Sequence, residues 1–444
     1  MSALSINTQS QPATPKSKDS TFQRLLLIAY VILVLGVFTF RDFMSVPIQQ
    51  YLLVAIVGAY IPFASYKNLV SYTAFLIPIV TGMNTIICAC LFIGLLVKCP
   101  KINKAQYLFT IALVIIEIIN LKSWPSTYRI NDVILYFGIL SLFLFLFFDK
   151  TQNIDYPLAI KLFCIATIFV FAAICYRTYQ VFGPIGIFAH RMGDVSIYDE
   201  SLSADLRVFS LNCNNIGYFS TVLYACLLLG YKRLHLSPIL YYAIFISNIL
   251  IAALTVSRTW LLMIVLLTLL YGVMYLKRWK LIVLISATII FGGGLAVYFS
   301  DFIEPFQKRL TNGDIETANG RTEIFSEYLT FMSENAEALP LGLGAVSYSD
   351  ITGCSYSTHN ATQQIFVCTG IMGLMLFTAI SLVFFRMFIR RRHIKLIFLL
   401  PLLSALLFVQ TIQFLNPYFL MLPFIIGAMS IKMGATQNSD LSLR

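Results

Sequence analysis

The sequence predicts an all-α fold, a polytopic membrane helical bundle. Two observations carry this. Hydrophobic residues make up 59% of the chain and charged residues only 11%, less than half the ~25% charge of soluble domains, and mean hydropathy is +0.82. Long apolar runs then recur along nearly the whole length, each enough to cross a ~30 Å hydrocarbon core. Lipid offers no partner to backbone N–H and C=O groups, so isolated strands are excluded and the runs read as helices.

The runs lie at 24–40, 48–66, 72–97, 106–122, 130–148, 158–176, 215–231, 238–256, 259–275, 281–300, 362–385, 396–413 and 416–431. They amount to about 12–13 spans. No cleavable signal-peptide pattern precedes them. Residues 1–22 are rich in Ser, Thr, Gln, Pro and Lys and read as a disordered cytoplasmic tail. Residues 23–433 form one membrane domain, and 434–444 a second cytoplasmic tail.

The net charge of +11 is not a nucleic-acid signal, because the excess sits in short loops. These hold Lys98, Lys101 and Lys104; Lys232 and Arg233; Lys277, Arg278 and Lys280; and Arg386, Arg390, Arg391, Arg392 and Lys395. The positive-inside rule makes them cytoplasmic. Alternation places 177–214, the Ser257-Arg258 corner and 301–361 outside, and the C-terminus inside. At the N-terminus two signals conflict. Lys16, Lys18 and Arg24 favour an inside start, whereas counting spans back gives an outside one. A re-entrant or broken run among the first three resolves the conflict, with Gly82 or Pro62 as the break.

The nine cysteines have no metal-ligand spacing. Most lie in apolar runs as small hydrophobes. Cys213 and Cys354 both fall in outer loops, where they form either a disulfide or two unrelated thiols.

Polar residues concentrate between Asn319 and Gly373. Arg258, beside Ser257 and Trp260, is either a snorkelling interfacial arginine or one lining a wet cavity. Arg321 opens a segment with Asn319 as N-cap, Glu323 in the first turn and Pro340 beyond the far end. Ile324, Phe325, Tyr328, Leu329 and Met332 fall on one face, which suits a helix along the membrane surface. Its N-terminus would favour a phosphate; the plain alternative pairs Arg321 with Glu323 or Glu327. His359 follows Ser357 and Thr358, either of which could cap the next helix. In a first turn the dipole disfavours the imidazolium, leaving a neutral base; the plain alternative is a polar helix-end residue. His235 and His393 sit in basic loops, and His190 beside Arg191 is a weaker rival. Gly342-Leu343-Gly344 lacks the strand and spacing of a nucleotide fingerprint. The absence of any Walker motif or nucleotide domain argues against an ATP-driven pump.

These residues carry a resemblance. Gly320-Arg321-Thr322-Glu323-Ile324-Phe325, then Pro340-Leu341-Gly342-Leu343-Gly344, then His359-Asn360 with Gly370 and Gly373, resemble the signature loop of the O-antigen polymerase and O-antigen ligase family. Arg207 with Asn212-Cys213-Asn214-Asn215 resembles its Asn-rich motif, and Leu254-Thr255-Val256-Ser257-Arg258 its Ser-Arg corner. The likeness spans about residues 180–385. Phe325 stands where the family often has Trp, and Cys213-Asn214-Asn215 where it often has Asn-Pro-Asn.

The resemblance implies a bacterial inner-membrane glycosyltransferase acting on the outer face, with no metal and no cofactor. Its donor would be a polyprenyl-diphosphate-linked oligosaccharide, and its acceptor a glycan hydroxyl or lipid A-core. Membrane lipid is its medium, nucleic acid is not a partner, and a chain-length regulator or flippase is an accessory partner. Arg258 and Arg321 would hold the diphosphate, and His359 would orient or deprotonate the acceptor, with Glu323 and Asp350 as reserve bases. Arg207, Asn215 and Asn360 would bind substrate; their plain alternative is helix-end capping. The reading taken is a polymerase of lipid-linked repeat units, with ligation to lipid A-core as the alternative. A secondary transporter or flippase is the alternative of another class. It would call for internal repeats and several mid-span ionisable groups, and Glu117 is the one obvious mid-span acid.

Overall fold

The structure, a computed structural model, describes residues 18–124, 130–151, 154–189, 192, 209, 211–255, 257–276, 321–346, 348–354, 358–390, 395–412, 414–415 and 418–441. Every regular element among them is helical. In chain order these are α1 (Lys18–Asp42), α2 (Gln50–Gly58), α3 (Tyr66–Ile79), α4 (Ile86–Lys98), α5 (Lys104–Ser123), α6 (Ile130–Phe148) and α7 (Tyr156–Ala189). There follow α8 (Cys213–Leu227), α9 (Pro238–Ala253), α10 (Arg258–Tyr275), α11 (Arg321–Glu334), α12 (Ala361–Arg390), α13 (Leu400–Phe408) and α14 (Pro423–Leu441). Among the described residues six helices are long and apolar enough to cross a membrane on their own, including α1, α5, α10 and most of α7 and α12. The expected run 281–300 lies outside the described residues.

Local chemistry sets the helix ends. Asn103 and Gln106 form a reciprocal capping box on α5. Ser237 caps α9, with Pro238 at its first position. Asn212 caps α8 and Ser257 caps α10.

Burial sorts the bundle into centre and rim. In α3 and α8 nearly every side chain is buried, as expected of helices that are apolar all round. Rim helices keep an exposed apolar stripe at helical spacing: Leu108, Ile111, Ile115 and Ile118 on α5, and Leu262, Val265, Leu269 and Val273 on α10. Such stripes face lipid tails, which are as apolar as leucine, so helix association rests on close packing and hydrogen bonds.

The conflict at the N-terminus is resolved by the break at Gly82. The expected single run 72–97 is two antiparallel helices, α3 and α4, joined at 80–85. Arg41, at the end of α1, donates to the Gly82 carbonyl. Lys98, at the end of α4, returns to donate to the carbonyls of Pro62 and Ala64 at 2.8 and 2.5 Å. Near the start of α1, Gln23 donates to Phe63 at 3.1 Å and accepts from the Ser65 N–H at 2.9 Å, and Arg24 pairs with Asp155 at 2.8 Å. The start of α1 therefore lies on the face that carries the Lys/Arg loops. Dividing that one run adds a crossing to those read from the sequence, and Lys18 and Leu441 then fall on the same face when 281–300 is counted as one span.

Of the two readings open for Cys213 and Cys354, no disulfide joins them, and burial pushes the Cys354 thiol up. One expectation is corrected. The apolar face expected on α11 is split. Tyr328 and Met332 are buried and Ile324 packs against the core, while Phe325 and Leu329 are 44% and 39% exposed. Tyr328 seats against Tyr348, ring centroids 5.7 Å apart, which turns Phe331 rather than Phe325 toward the core.

The chain path gives a testable consequence. A cysteine at Asn84, between α3 and α4, is expected to label from the side opposite Cys99, which lies on the basic face, in a protein stripped of other thiols. Labelling of both from one side by an impermeant maleimide would overturn the division of the 72–97 run.

Candidate functional site

The site forms at the bundle mouth opposite the basic loops, where α8, α10, α11, α12 and the end of α13 meet. Asn212 accepts from the Asn215 N–H at 2.8 Å, starting α8. Asn215 is therefore inside the first turn and buried, and the cap is its neighbour three residues back. Gly217 lets α8 approach closely: a Cβ there would lie 3.2 Å from Ser257 Oγ and 3.3 Å from Phe408. This links the start of α10 to the end of α13.

Arg258 is the first residue of α10, held by its Ser257 cap, whose Oγ accepts from the Trp260 N–H at 3.4 Å. The Trp260 indole donates to Ser220 Oγ at 2.9 Å, so this tryptophan is a buried anchor. Arg258 is half-buried. Its Nε is shielded from solvent and has no hydrogen-bond partner among the described residues. A guanidinium N–H without a partner at this depth is costly unless a ligand or water completes it.

α12 begins at Ala361, and its cap is Asn360, which accepts from the Gln363 N–H at 3.0 Å. This corrects the expected capping by Ser357 or Thr358. His359 therefore precedes the cap instead of sitting in the first turn, still beside the positive end of the helix. It is half-buried, next to a fully buried Thr358. Asn360 Nδ2 donates to the Gln410 carbonyl at 3.2 Å, and Thr362 Oγ1 donates to Gln410 Oε1 at 2.9 Å. The capping role proposed as the plain alternative for Asn360 is thus present, and it ties His359 to the end of α13.

Two glutamines that the sequence reading passed over hold the parts together. Gln363 Nε2 donates to the Phe325 carbonyl at 2.9 Å, docking α11 on α12. Arg321 and His359 each lie four residues upstream of this bond. Gln364 is buried; it donates to the Tyr348 hydroxyl at 3.0 Å and accepts from the N–H groups of Phe414 and Leu415 at 2.6 and 2.8 Å. A run of polar residues entering an apolar helix was the available signal. Glu323 lines an open cleft with Glu327, Glu334 and Cys354, and both Glu323 and Asp350 are exposed. Arg207 and His190 lie outside the described residues.

Below the mouth, α12 is broken. Gly370 has φ +62°, a conformation that glycine alone adopts cheaply. The break removes the expected helical bonds from Ile371 to Val367 and from Met372 to Cys368. The Pro340-Leu341-Gly342-Leu343-Gly344 loop replaces them. Leu343 N–H donates to the Val367 carbonyl and Gly344 N–H to that of Cys368, both at 2.9 Å; Ile371 N–H donates to Leu339 at 2.9 Å and Met372 N–H to Pro340 at 3.1 Å. Gly342, at φ +78°, and Gly370 lie in backbone contact, leaving no room for a Cβ at either.

Fold and site define a class, a polytopic helical membrane protein with an arginine- and histidine-bearing mouth. The family model described as O-antigen ligase matches residues 243–378, so this segment is similar to that family. The match covers Arg258, Arg321, His359, Asn360 and both halves of the exchanged backbone. No curated protein matches the chain.

The break allows a stability test. Gly370→Ala is expected to cost roughly 2–4 kcal/mol, combining a left-handed Ala with overpacking. Gly36→Ala, with nothing within 4 Å of its Cβ position, should be neutral or slightly stabilising. Equal melting temperatures for the two purified variants would contradict the exchanged-bond geometry.

Proposed function

We propose that this protein polymerises lipid-linked polysaccharide repeat units at the outer face of a bacterial inner membrane. What supports the reading is that Arg258, Arg321 and His359 all fall in the segment matched to the family, while Gly217 joins the start of α10 to the end of α13 and Asn360 and Gln363 tie the start of α12 to the Gln410 carbonyl and to α11. An apolar groove of about 450 Å³ descends from the bundle mouth between α12 and α13, lined by Thr362 and Gln410 above and by Phe377 and Phe385 below. A diphosphate at the mouth and its polyprenyl chain in the groove would fit together.

The chemistry follows from the charges. The acceptor hydroxyl oxygen bonds to the anomeric carbon of the donor, and the bond from that carbon to the diphosphate oxygen breaks. The hydroxyl proton passes to His359, and polyprenyl diphosphate leaves. Arg258, aided by Arg321 and by the positive ends of α10 and α11, takes up the charge on the leaving group. This assigns to arginine what a divalent cation does elsewhere, so transfer is expected to persist in chelator. Asn360 positions His359, and Asn215 and Arg207 are the residues proposed to bind substrate.

The second reading is ligation to lipid A-core, favoured by the description of the matched family. Acceptor identity separates the two. Deletion of a polymerase should leave single repeat units on lipid A-core, and deletion of a ligase should leave long chains on polyprenyl diphosphate. A protein that moves lipid-linked glycan across liposomes and transfers it to no acceptor would be a flippase, and the enzymatic reading would fall.

Two substitutions test the roles. Arg258→Ala should lower transfer by roughly 10²–10³-fold, and Arg258→Lys should recover little of it, because an ammonium lacks the planar two-point contact. His359→Ala should lower the rate by roughly 10²–10⁴-fold with donor binding retained. Normal turnover by either alanine variant, at normal membrane levels, would remove that residue from the mechanism.

A further inference from the structure

We propose that α5, which lies outside the matched segment, is the positioning helix of this site, with Glu117, Asn120 and Trp124 clamping the exchanged backbone beneath His359. The positioning role rests on the transfer reading above; the clamp itself does not. The three residues recur at i, i+3 and i+7, one stripe of α5, and the opposite stripe faces lipid. Glu117 and Asn120 are 0% and 2% exposed. An acid and an amide in the buried stripe of a rim helix are costly unless well partnered, and apolar residues would pack as well.

Their partners are the backbone groups of the exchange. Asn120 Nδ2 donates to the Leu341 carbonyl at 2.7 Å and to the Cys368 carbonyl at 3.2 Å, one on each side of the junction. The Trp124 indole donates to the Gly342 carbonyl at 3.2 Å. Both carboxylate oxygens of Glu117 accept from the Ala345 N–H, at 3.0 and 2.9 Å. Together with the four exchanged bonds, these contacts bind the loop from Leu339 to Ala345 to the halves of α12.

The competitor is a continuous α12, in which Ile371 and Met372 recover their helical partners and the loop loses its own. Straightening at Gly370 would swing the upper half of the helix, Ala361–Thr369, and carry His359 away from the start of α11. Each clamp contact exists only in the broken form, so each biases the balance toward the geometry in which the upper half of α12, with His359 at its start, docks on α11 through Gln363. These residues act through the backbone and touch no substrate.

Hydrogen exchange on the purified full-length protein, with transfer measured on lipid-linked repeat units extracted from the producing strain, tests this. In Asn120→Leu, amides 342–346 should exchange roughly tenfold faster or more, amides 371–374 should stay protected, α8 should be unchanged, and transfer should fall at least about tenfold. Trp124→Phe, which removes a single N–H, should show the same pattern more weakly and guards against misfolding of the first variant. Glu117→Gln keeps an acceptor for Ala345 and should stay within roughly threefold of wild type in both readouts. Unchanged exchange at 342–346 in both Asn120→Leu and Trp124→Phe would overturn the clamp. Faster exchange with undiminished transfer would overturn the positioning role. If the wild type transfers nothing, the transfer reading and the positioning role fall together, while the exchange pattern still decides whether α5 holds the loop.

Discussion

A break inside a membrane helix leaves backbone donors and acceptors that lipid cannot satisfy, and the site depends on how this chain meets that constraint. At Gly370 the missing helical bonds are replaced one for one by the loop from Leu339 to Gly344. The loop is thereby fixed to α12, and α11, just ahead of it in the chain, is fixed too through Gln363 and the Phe325 carbonyl. The glycines at 342 and 370 have a shared cause, since each lies where the other strand's backbone passes. The signature run is thus chiefly a joint, and it carries the charged and titratable residues at its edges.

The division of labour along the chain follows. Residues 243–378 match the family model. Among the earlier helices, α5 makes its polar contacts to this segment on backbone atoms: Asn120 to Leu341 and Cys368, Trp124 to Gly342, Glu117 to Ala345. Contacts to backbone demand a donor or acceptor at a fixed place and little else of the partner's side chain.

Much of the fold was legible because hydropathy is a local property. The described runs became helices. The break at Gly82 was legible as a candidate, since charge bias and span count disagreed there. What stayed hidden depends on distant pairs. Asn120 and Leu341 are 221 positions apart, and nothing local marks Glu117 as the partner of Ala345 rather than a transport acid. The cap of α12 shifted from Ser357 or Thr358 to Asn360 because Gln410, from another helix, holds the Asn360 amide in place. The split face of α11 has a similar origin, in a tyrosine pair that periodicity cannot see.

Two arginines at the same face show why partnership, more than position, separates frame from function. Arg41 ends α1 fully buried. Its Nε and Nη2 donate to Asp42 at 2.8 and 3.0 Å, Nη1 donates to the Gly82 carbonyl, and the guanidinium lies 4.6 Å from the Phe38 ring and 5.3 Å from that of Phe209. Its charge is paired with Asp42, and its bonds and ring contacts hold α1, the α3–α4 junction and Phe209 together. Arg258 begins α10 at a comparable depth, half-buried, without an adjacent carboxylate in the chain, and its Nε finds no partner among the described residues. Desolvation is tolerable for Arg41 because the protein completes it. For Arg258, in the proposed role, the same cost would become an attraction for an anion, and the helix end beneath it would add to that attraction.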